Sequence, residues 1–496
     1  MSQPCLKTND APTGTPGLDD VLSGGFGLGA LFLIEGKPGT GKTTLALRFL
    51  IQGAQAGEST LYITLSETKD ELLAGAASHG WQVGDVEVFE LQQAHLEPKN
   101  QQSLLYSADL ELGETVKVIL EAVERVNPSR VVLDSLSEIR LLAQNSLRYR
   151  RQLLALKHHF AKRGTTVLFL DDLTAEATDK TAHSIAHGVV VLEETAINFG
   201  AERRRMRVSK YRGRRYRGGY HDFTIETGGI RIFPRLISGE HHTEFEEEVL
   251  SSGNAELDKL LGGGLERGSA TLALGPAGSG KSALVIQFAI AAVARGEKAA
   301  IFVFDEELNL LFRRMKKMGV DLRELRRRGS LIFEQVDAAQ LSPGEFTHKV
   351  REYVERHGVQ TVIIDSLNGY QEAMPEEQLL ILHMHELLQF LNRLGVSTFL
   401  TVAQHGLVGT MLTPVDVTYL ADTVILIRYF EADGKVRRAI SVIKKRTGPH
   451  EDSIRELKVT SQGLLIGEAL HDFHGILRGN PTYTGSSNPW LPDGSP

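Results

Sequence analysis

Two stretches of this sequence have the residue types and spacing for phosphate chemistry. Gly36-Lys-Pro-Gly-Thr-Gly-Lys42-Thr43 and Gly275-Pro-Ala-Gly-Ser-Gly-Lys281-Ser282 both fit G-x-x-x-x-G-K-S/T. Glycines at Gly36, Gly39 and Gly41, and at Gly275, Gly278 and Gly280, let backbone N–H groups wrap a phosphate. The helix that follows points its positive end at the anion. Thr40 and Thr44, like Ser279 and Ala283, belong to the loop and first helical turn. Lys42 and Lys281 would reach the β- and γ-phosphates of ATP, and Thr43 and Ser282 would offer a hydroxyl to Mg²⁺. Asp134 (VVLDS) and Asp365 (VIIDS) each end an apolar run. A carboxylate at a strand tip beside a phosphate loop can hold the water shell of Mg²⁺, and Ser135 and Ser366 stand next to assist. Alone, an Asp after a buried strand is ordinary; paired with a phosphate loop, twice, it points to the metal. Glu67 and Glu306 each lie 25 residues beyond a loop lysine at the end of an apolar run. Either could orient and deprotonate water. The residue before them differs, Ser66 in one case and Asp305 in the other.

Cations form a third element. Lys210 and Arg212 (SKYRG) match Lys444 and Arg446 (KKRT), and nine Lys/Arg fall between Arg203 and Arg217. They read as arginine-finger-like groups reaching a neighbour's γ-phosphate, as a nucleic-acid contact with Tyr211 and Tyr216 interleaved, or as a solvated edge strand. The basic run Arg313 to Arg328 reads as solvated helix faces, and His383, His385, His158 and His241 lack metal-ligand companions. Asp171-Asp172 and Gln404-His405 read as strand ends in matching parts of the two halves.

The elements that position these residues occur twice. Pro12 to Thr43 lies over Ser251 to Ser282 without a gap, each pair offset by 239, as with Gly14 on Gly253 and Asp19 on Asp258. Asp134 falls on Asp365 and Lys210 on Lys444, at offsets of 231 and 234. Two copies of one large domain follow, rather than a short-period solenoid. Strand-like runs (ALFLIEG, TLYITL, RVVLDS, TVLFL) alternate with helical patterns, which predicts an α/β fold with a mostly parallel sheet flanked by helices in each copy. The expected boundaries are a first domain over 1–236, an acidic linker over 237–249, a second domain over 250–478 and a Pro/Gly/Ser-rich disordered tail over 479–496.

Composition bounds the partners. The chain has 496 residues, 42% hydrophobic and 24% charged, with a formal net charge of −7. That excludes a fibrous chain and a global basic field for nucleic acid. The single cysteine, Cys5, cannot form an internal disulfide. The first residues carry no apolar signal core and Ala283–Ala294 is too short to span a bilayer, so the expected setting is the cytoplasm, without membrane contact.

The GLD-x-x-L-x-GG entrance, the paired phosphate loops, the DS strand ends and the K-x-R segments together resemble the KaiC family of tandem RecA-like P-loop ATPases and autokinases. The resemblance covers roughly residues 12 to 478. It implies a double-ring homo-hexamer with ATP and Mg²⁺ bound at subunit interfaces in both tiers. The family's adjacent catalytic glutamates fall on Ser66-Glu67 and Asp305-Glu306. Its trans-acting cations fall on Lys210, Arg212, Lys444 and Arg446, and His450 matches a family histidine. The family's autophosphorylated Ser-Thr pair becomes Thr418-Tyr419, so Thr418 is the candidate phosphoacceptor, and Thr413 matches a further family threonine. The tail that receives a clock partner is poorly kept. The expected function is a Mg²⁺-dependent ATPase that signals through nucleotide state to a partner the sequence does not name, with Ser/Thr autophosphorylation. The alternatives are a DNA-dependent RecA-like ATPase or a scaffold that uses ATP only to hold itself together.

Overall fold

The computed structural model describes residues 10–91, 108–173, 180–196, 200–374, 377–404, 418–432, 434–478 and 481–484. The chain divides into two compact units between Arg235 and Leu236.

In the first unit the central sheet comprises β1 (Leu31–Gly36), β2 (Thr60–Thr64), β3 (Glu87–Glu90), β4 (Arg130–Asp134), β5 (Thr166–Asp172), β6 (Gly188–Thr195), β7 (Arg203–Tyr211), β8 (His221–Glu226) and β9 (Gly229–Phe233). Their spatial order is β9-β8-β7-β6-β1-β5-β4-β2-β3. The six strands from β6 to β3 are parallel, and β7, β8 and β9 extend the sheet antiparallel. All six residues of β1 are buried, as a central parallel strand covered on both faces requires. Its alternation sends Phe32 and Ile34 into one apolar layer and Leu31 and Leu33 into the other.

The helix Lys42–Gln55 fills the first layer through Leu45, Ala46, Phe49 and Leu50. The helix Ser146–Arg163 covers the second with Tyr149, Leu153, Leu156 and Phe160. That three-to-four-residue spacing makes one apolar face, and each such side chain contributes about 1.5–3 kcal/mol when fully buried.

The second unit repeats the plan with β10 (Ala270–Gly275), β11 (Lys298–Val303), β12 (Leu331–Gln335), β13 (Val359–Asp365), β14 (Ser397–Ala403), β15 (Thr423–Ala432), β16 (Lys435–Lys445), β17 (Arg455–Thr460) and β18 (Gly463–Ala469). The order, β12-β11-β13-β14-β10-β15-β16-β17-β18, is that of the first sheet read from its other edge. Even a loop contact is duplicated. Asp19 accepts from Thr13 N–H at 3.0 Å, and Asp258 from Ser252 N–H at 2.8 Å.

Residues following Arg235 pack on the second unit. Leu236 joins its core, Ser238 Oγ donates to Gln389 at 3.1 Å, and Thr243 N–H donates to Arg393 O at 3.2 Å. Phe245 lies over Gly395, where a Cβ would come within 2.6 Å of the ring. Within the stretch 479–496, Thr482–Tyr483 pairs antiparallel with Phe473–His474, and the rings of Phe473 and Tyr483 meet at 4.8 Å. Among the described residues no helix is long and apolar enough to cross a membrane.

Candidate functional site

Each phosphate loop lies where a central strand turns into a helix. The helices begin at Lys42 and Lys281, preceded by Gly41 at φ 94° and Gly280 at φ 109°. Only glycine adopts that left-handed conformation without strain, so the G-K step of the motif is fixed by the turn itself. Gly36 is constrained by space, because a Cβ there would meet Thr40 Oγ1 at 2.5 Å and Leu192 O at 2.6 Å.

In both copies the loop lysine is buried and folds back on its own loop. Lys42 Nζ donates to Gly36 O at 2.9 Å and Lys37 O at 3.0 Å, and Lys281 Nζ to Gly275 O at 3.0 Å and Pro276 O at 2.9 Å. Burial pushes the Lys281 ammonium below its ordinary value. Lys42 has in addition a 2.7 Å salt bridge to Asp172. The sheet register places Asp172 opposite Gly36 and Ala403 opposite Gly275. This corrects the sequence match of Asp171-Asp172 with Gln404-His405: Leu173 and Gln404 correspond, each donating its N–H to the first loop residue. His405 lies outside the described residues.

The strand-tip carboxylates are braced by different residues in the two copies. Asp134 Oδ2 accepts from Tyr62 OH at 2.6 Å and from Thr43 Oγ1 at 3.1 Å. Asp365 Oδ1 accepts from Thr401, and Ile301 stands where the first copy has Tyr62. Among the described residues no hydrogen bond joins Ser282 to Asp365. The peptide bonds after both, Asp134–Ser135 and Asp365–Ser366, are cis. Burial holds the Asp134 carboxyl above the usual carboxylate range, although the Tyr62 and Thr43 bonds and the Lys42 charge pull it down.

The residues fit Mg²⁺ bound together with a nucleotide. Among the described residues no group of three or more His, Cys, Asp and Glu could cage a metal. The Thr43–Asp134 pair beneath the loop offers instead the sparse oxygen set that Mg²⁺ uses when phosphates and water complete its shell.

A cavity of about 460 Å³ opens from Thr43 and Thr44 past Glu67 to His79 and Trp81. Thr64 holds the Glu67 backbone, its hydroxyl donating to Glu67 O at 2.7 Å and accepting from Glu67 N–H at 3.0 Å. The Glu67 carboxylate lines the cavity, with no hydrogen-bond or ion-pair partner among the described residues. Burial, then the charges of Asp134, Glu71 and Asp172, push it above its ordinary value. In the second copy Glu306 accepts from Arg314 at 2.6 Å, and Ser366 donates to Asp305. His79 and Trp81 were not visible to motif reasoning: their rings, 5.0 Å apart, wall the cavity from the far end of a helix with no motif.

The K-x-R cations sit toward the opposite end of the strands from the phosphate loops. Tyr211 pairs with Gly188, which pairs with Phe32, four residues short of Gly36 on β1. Lys210 pairs with Val189, itself opposite Leu33, three residues short of Gly36, so at about 3.3 Å per residue it lies ~10 Å or more along the strand direction from its own phosphate loop. Lys444 pairs with Val424, itself opposite Leu272 near the start of β10. Each cation pair clasps the backbone just before the neighbouring strand, in the short helix Thr181–Ile185 in the first copy. Lys210 donates to His183 O and Arg212 to Ser184 O at 2.8 Å. Lys444 donates to Thr418 O at 2.8 Å and Ala421 O at 2.7 Å, and Arg446 to Tyr419 O at 2.8 Å. Thr418 is therefore beside Lys444, toward the end of the strands away from Lys281, and Thr413 lies outside the described residues. The basic run is largely neutralised locally: Arg204 pairs with Glu194, Arg205 with Asp222, Arg207 with Glu193, Arg214 with Asp10 and Arg217 with Asp20.

Two nine-stranded sheets, each with a phosphate loop at the carboxyl end of its central strand, define a tandem RecA-like P-loop protein. The family model for the KaiC ATPase matches residues 11–237 and 250–471, and the chain belongs to that family. It is 29% identical over 499 residues to the circadian clock protein KaiC3 of Synechocystis sp., covering 96% of this chain and 95% of that protein. It is 28% identical to the circadian clock oscillator protein KaiC of Thermostichus vulcanus (97% of this chain, 93% of that protein). The KaiC of Synechococcus elongatus is likewise 28% identical (94% and 90%).

Proposed function

We propose that the protein is a Mg²⁺-dependent ATPase that assembles as a homo-hexamer and completes each nucleotide site with cations from the adjacent subunit. The observation that carries the hydrolytic reading is the first copy's cavity, walled by the unpaired Glu67 and by Thr43, which follows the buried loop lysine in sequence and bonds Asp134.

On nucleotide binding the loop N–H groups and Lys42 or Lys281 hold the phosphates. Lys42 exchanges the Asp172 carboxylate and loop carbonyls for phosphate oxygens. Thr43 with Asp134, and Ser282 with Asp365, would hold Mg²⁺, which when bound neutralises charge on the β- and γ-oxygens. Glu67 orients the attacking water and takes its proton, which its unpaired, raised-pKa carboxylate suits. Glu306 has the same role in the second copy, with Asp305 beside it. Lys210 with Arg212, and Lys444 with Arg446, stabilise charge developing on the neighbour's γ-phosphate. Their position toward the opposite end of the strands from their own loops supports action in trans.

Thr418 shares that far end of the strands, so phosphoryl transfer to it would also come from a neighbour's ATP. Nucleotide state then signals to a protein partner. Two products separate these activities. ATP labelled at the γ-phosphate, incubated with the protein and Mg²⁺, is expected to release free phosphate and to label Thr418. Free phosphate alone removes the autokinase part, and no release in either channel refutes the proposal.

A further inference from the structure

Among the differences between the two copies, one lies eight residues beyond each general base. The helices Lys69–Ser78 and Leu308–Lys317 are both ten residues long and match residue for residue at the same offset of 239 that relates Lys42 to Lys281. Eight residues after Glu67 this helix presents Gly75 to the cavity wall. Eight residues after Glu306 it presents Arg314, whose Nη2 donates to Glu306 Oε2 at 2.6 Å.

We propose that Arg314 is a positioning residue that restrains Glu306, so that the second copy hydrolyses ATP more slowly than the first. The inference rests on reading Glu67 and Glu306 as the bases. A carboxylate oxygen bonded to a guanidinium is a poorer proton acceptor and is anchored toward its helix rather than toward a water. Asp305 offers no replacement, because Ser366 donates to its carboxylate. In the first copy neither restraint exists: Ser66 stands in place of Asp305, and Gly75 has no side chain to reach Glu67. The exchange is sterically open in both directions. A Cβ on Gly75 would meet nothing within 4 Å, and its backbone is not in the left-handed region. The mid-helix site is also one where arginine is favoured over glycine.

The test is a reciprocal exchange read as phosphate release. In a Glu67→Gln background, where remaining turnover comes from the second copy, Arg314→Ala is expected to raise release about two- to fivefold, the range for loosening a half-exposed ion pair. Arg314→Gln, which keeps helix propensity and loses only the charge, is expected to do the same. ATP affinity, measured separately, stays unchanged. The acid limb of the second-copy rate moves to higher pH, because removing the cation raises the Glu306 carboxyl. In an Asp305→Asn/Glu306→Gln background, Gly75→Arg is expected to slow the first copy by a similar factor. Unchanged or lower release in both Arg314 variants, or an unmoved acid limb, overturns the proposal while leaving the ATPase reading intact. Absence of turnover in the unmodified protein overturns the ATPase reading itself, and this inference with it.

Discussion

Replacing Tyr62 by Phe removes a single hydroxyl beneath the first site. That hydroxyl donates to Asp134 Oδ2 at 2.6 Å, and both residues are buried, Tyr62 at 0% and Asp134 at 8% exposure. A hydrogen bond to a charged acceptor contributes about 1.5–3 kcal/mol, and Phe preserves the shape of the ring, so the variant loses about that much at neutral pH. For a unit of this size the midpoint falls roughly 2–4 °C per kcal/mol. The pH dependence has a definite sign. Burial raises the Asp134 carboxyl and the Tyr62 bond pulls it down, so the variant raises it further. Once acid protonates Asp134, the missing bond is a neutral one worth about 0.5–1.5 kcal/mol. The gap between the two proteins therefore narrows as pH falls. Urea unfolding followed through Trp81 reports the first unit, with Trp490→Phe removing the chain's other tryptophan. Thr401→Val is the matching change in the second unit and leaves the Trp81 signal unmoved. A cost below about 0.5 kcal/mol at neutral pH, or a gap that widens on acidification, refutes the account of this carboxylate.

Lys42→Ala and Lys281→Ala each abolish nucleotide binding at their own site, so bound nucleotide per chain falls by half in either variant. Full occupancy in either one contradicts the assignment of that loop. Glu67→Gln lowers first-copy turnover by about 10²–10⁴-fold. Because the Glu67 carboxyl is raised and must be ionised to act as a base, wild-type turnover falls on acidification through a pH above the ordinary glutamate range. An acid limb at the ordinary value would show that another group limits the rate.

The elements near the phosphate loops were legible because their signals are local. A glycine pattern specifies a turn, and an apolar run ending in Asp specifies a buried strand tip, whatever the rest of the chain does. The duplication added a second, independent copy of each signal. What the sequence hid depends on contacts between distant strands. Tyr62 braces Asp134 from β2, whereas Thr401 braces Asp365 from β14, so the same job is done at unmatched positions. The Lys42–Asp172 bridge, and the correspondence of Asp172 in the first copy to Ala403 in the second, follow from register, which spacing alone does not set. The basic run between Arg203 and Arg217 suggested a nucleic-acid face among its readings. Its opposing acids come from β6 and β8, from Asp10 in the short strand Asp10–Ala11 and from Asp20 in the helix Leu18–Leu22, and only the fold brings them together.

The central claim is that each site is finished by a neighbouring subunit, and complementation tests it directly. Two hydrolysis-deficient chains are co-expressed, one carrying Lys210→Ala and Arg212→Ala, the other Glu67→Gln. Both also carry Asp305→Asn and Glu306→Gln to silence the second copy. In a ring of mixed subunits about one interface in four joins an intact Glu67 site to intact cations. The account predicts phosphate release near a quarter of the first-copy rate, from two parents that are each nearly inactive. A mixture no more active than the sum of its parents would contradict it.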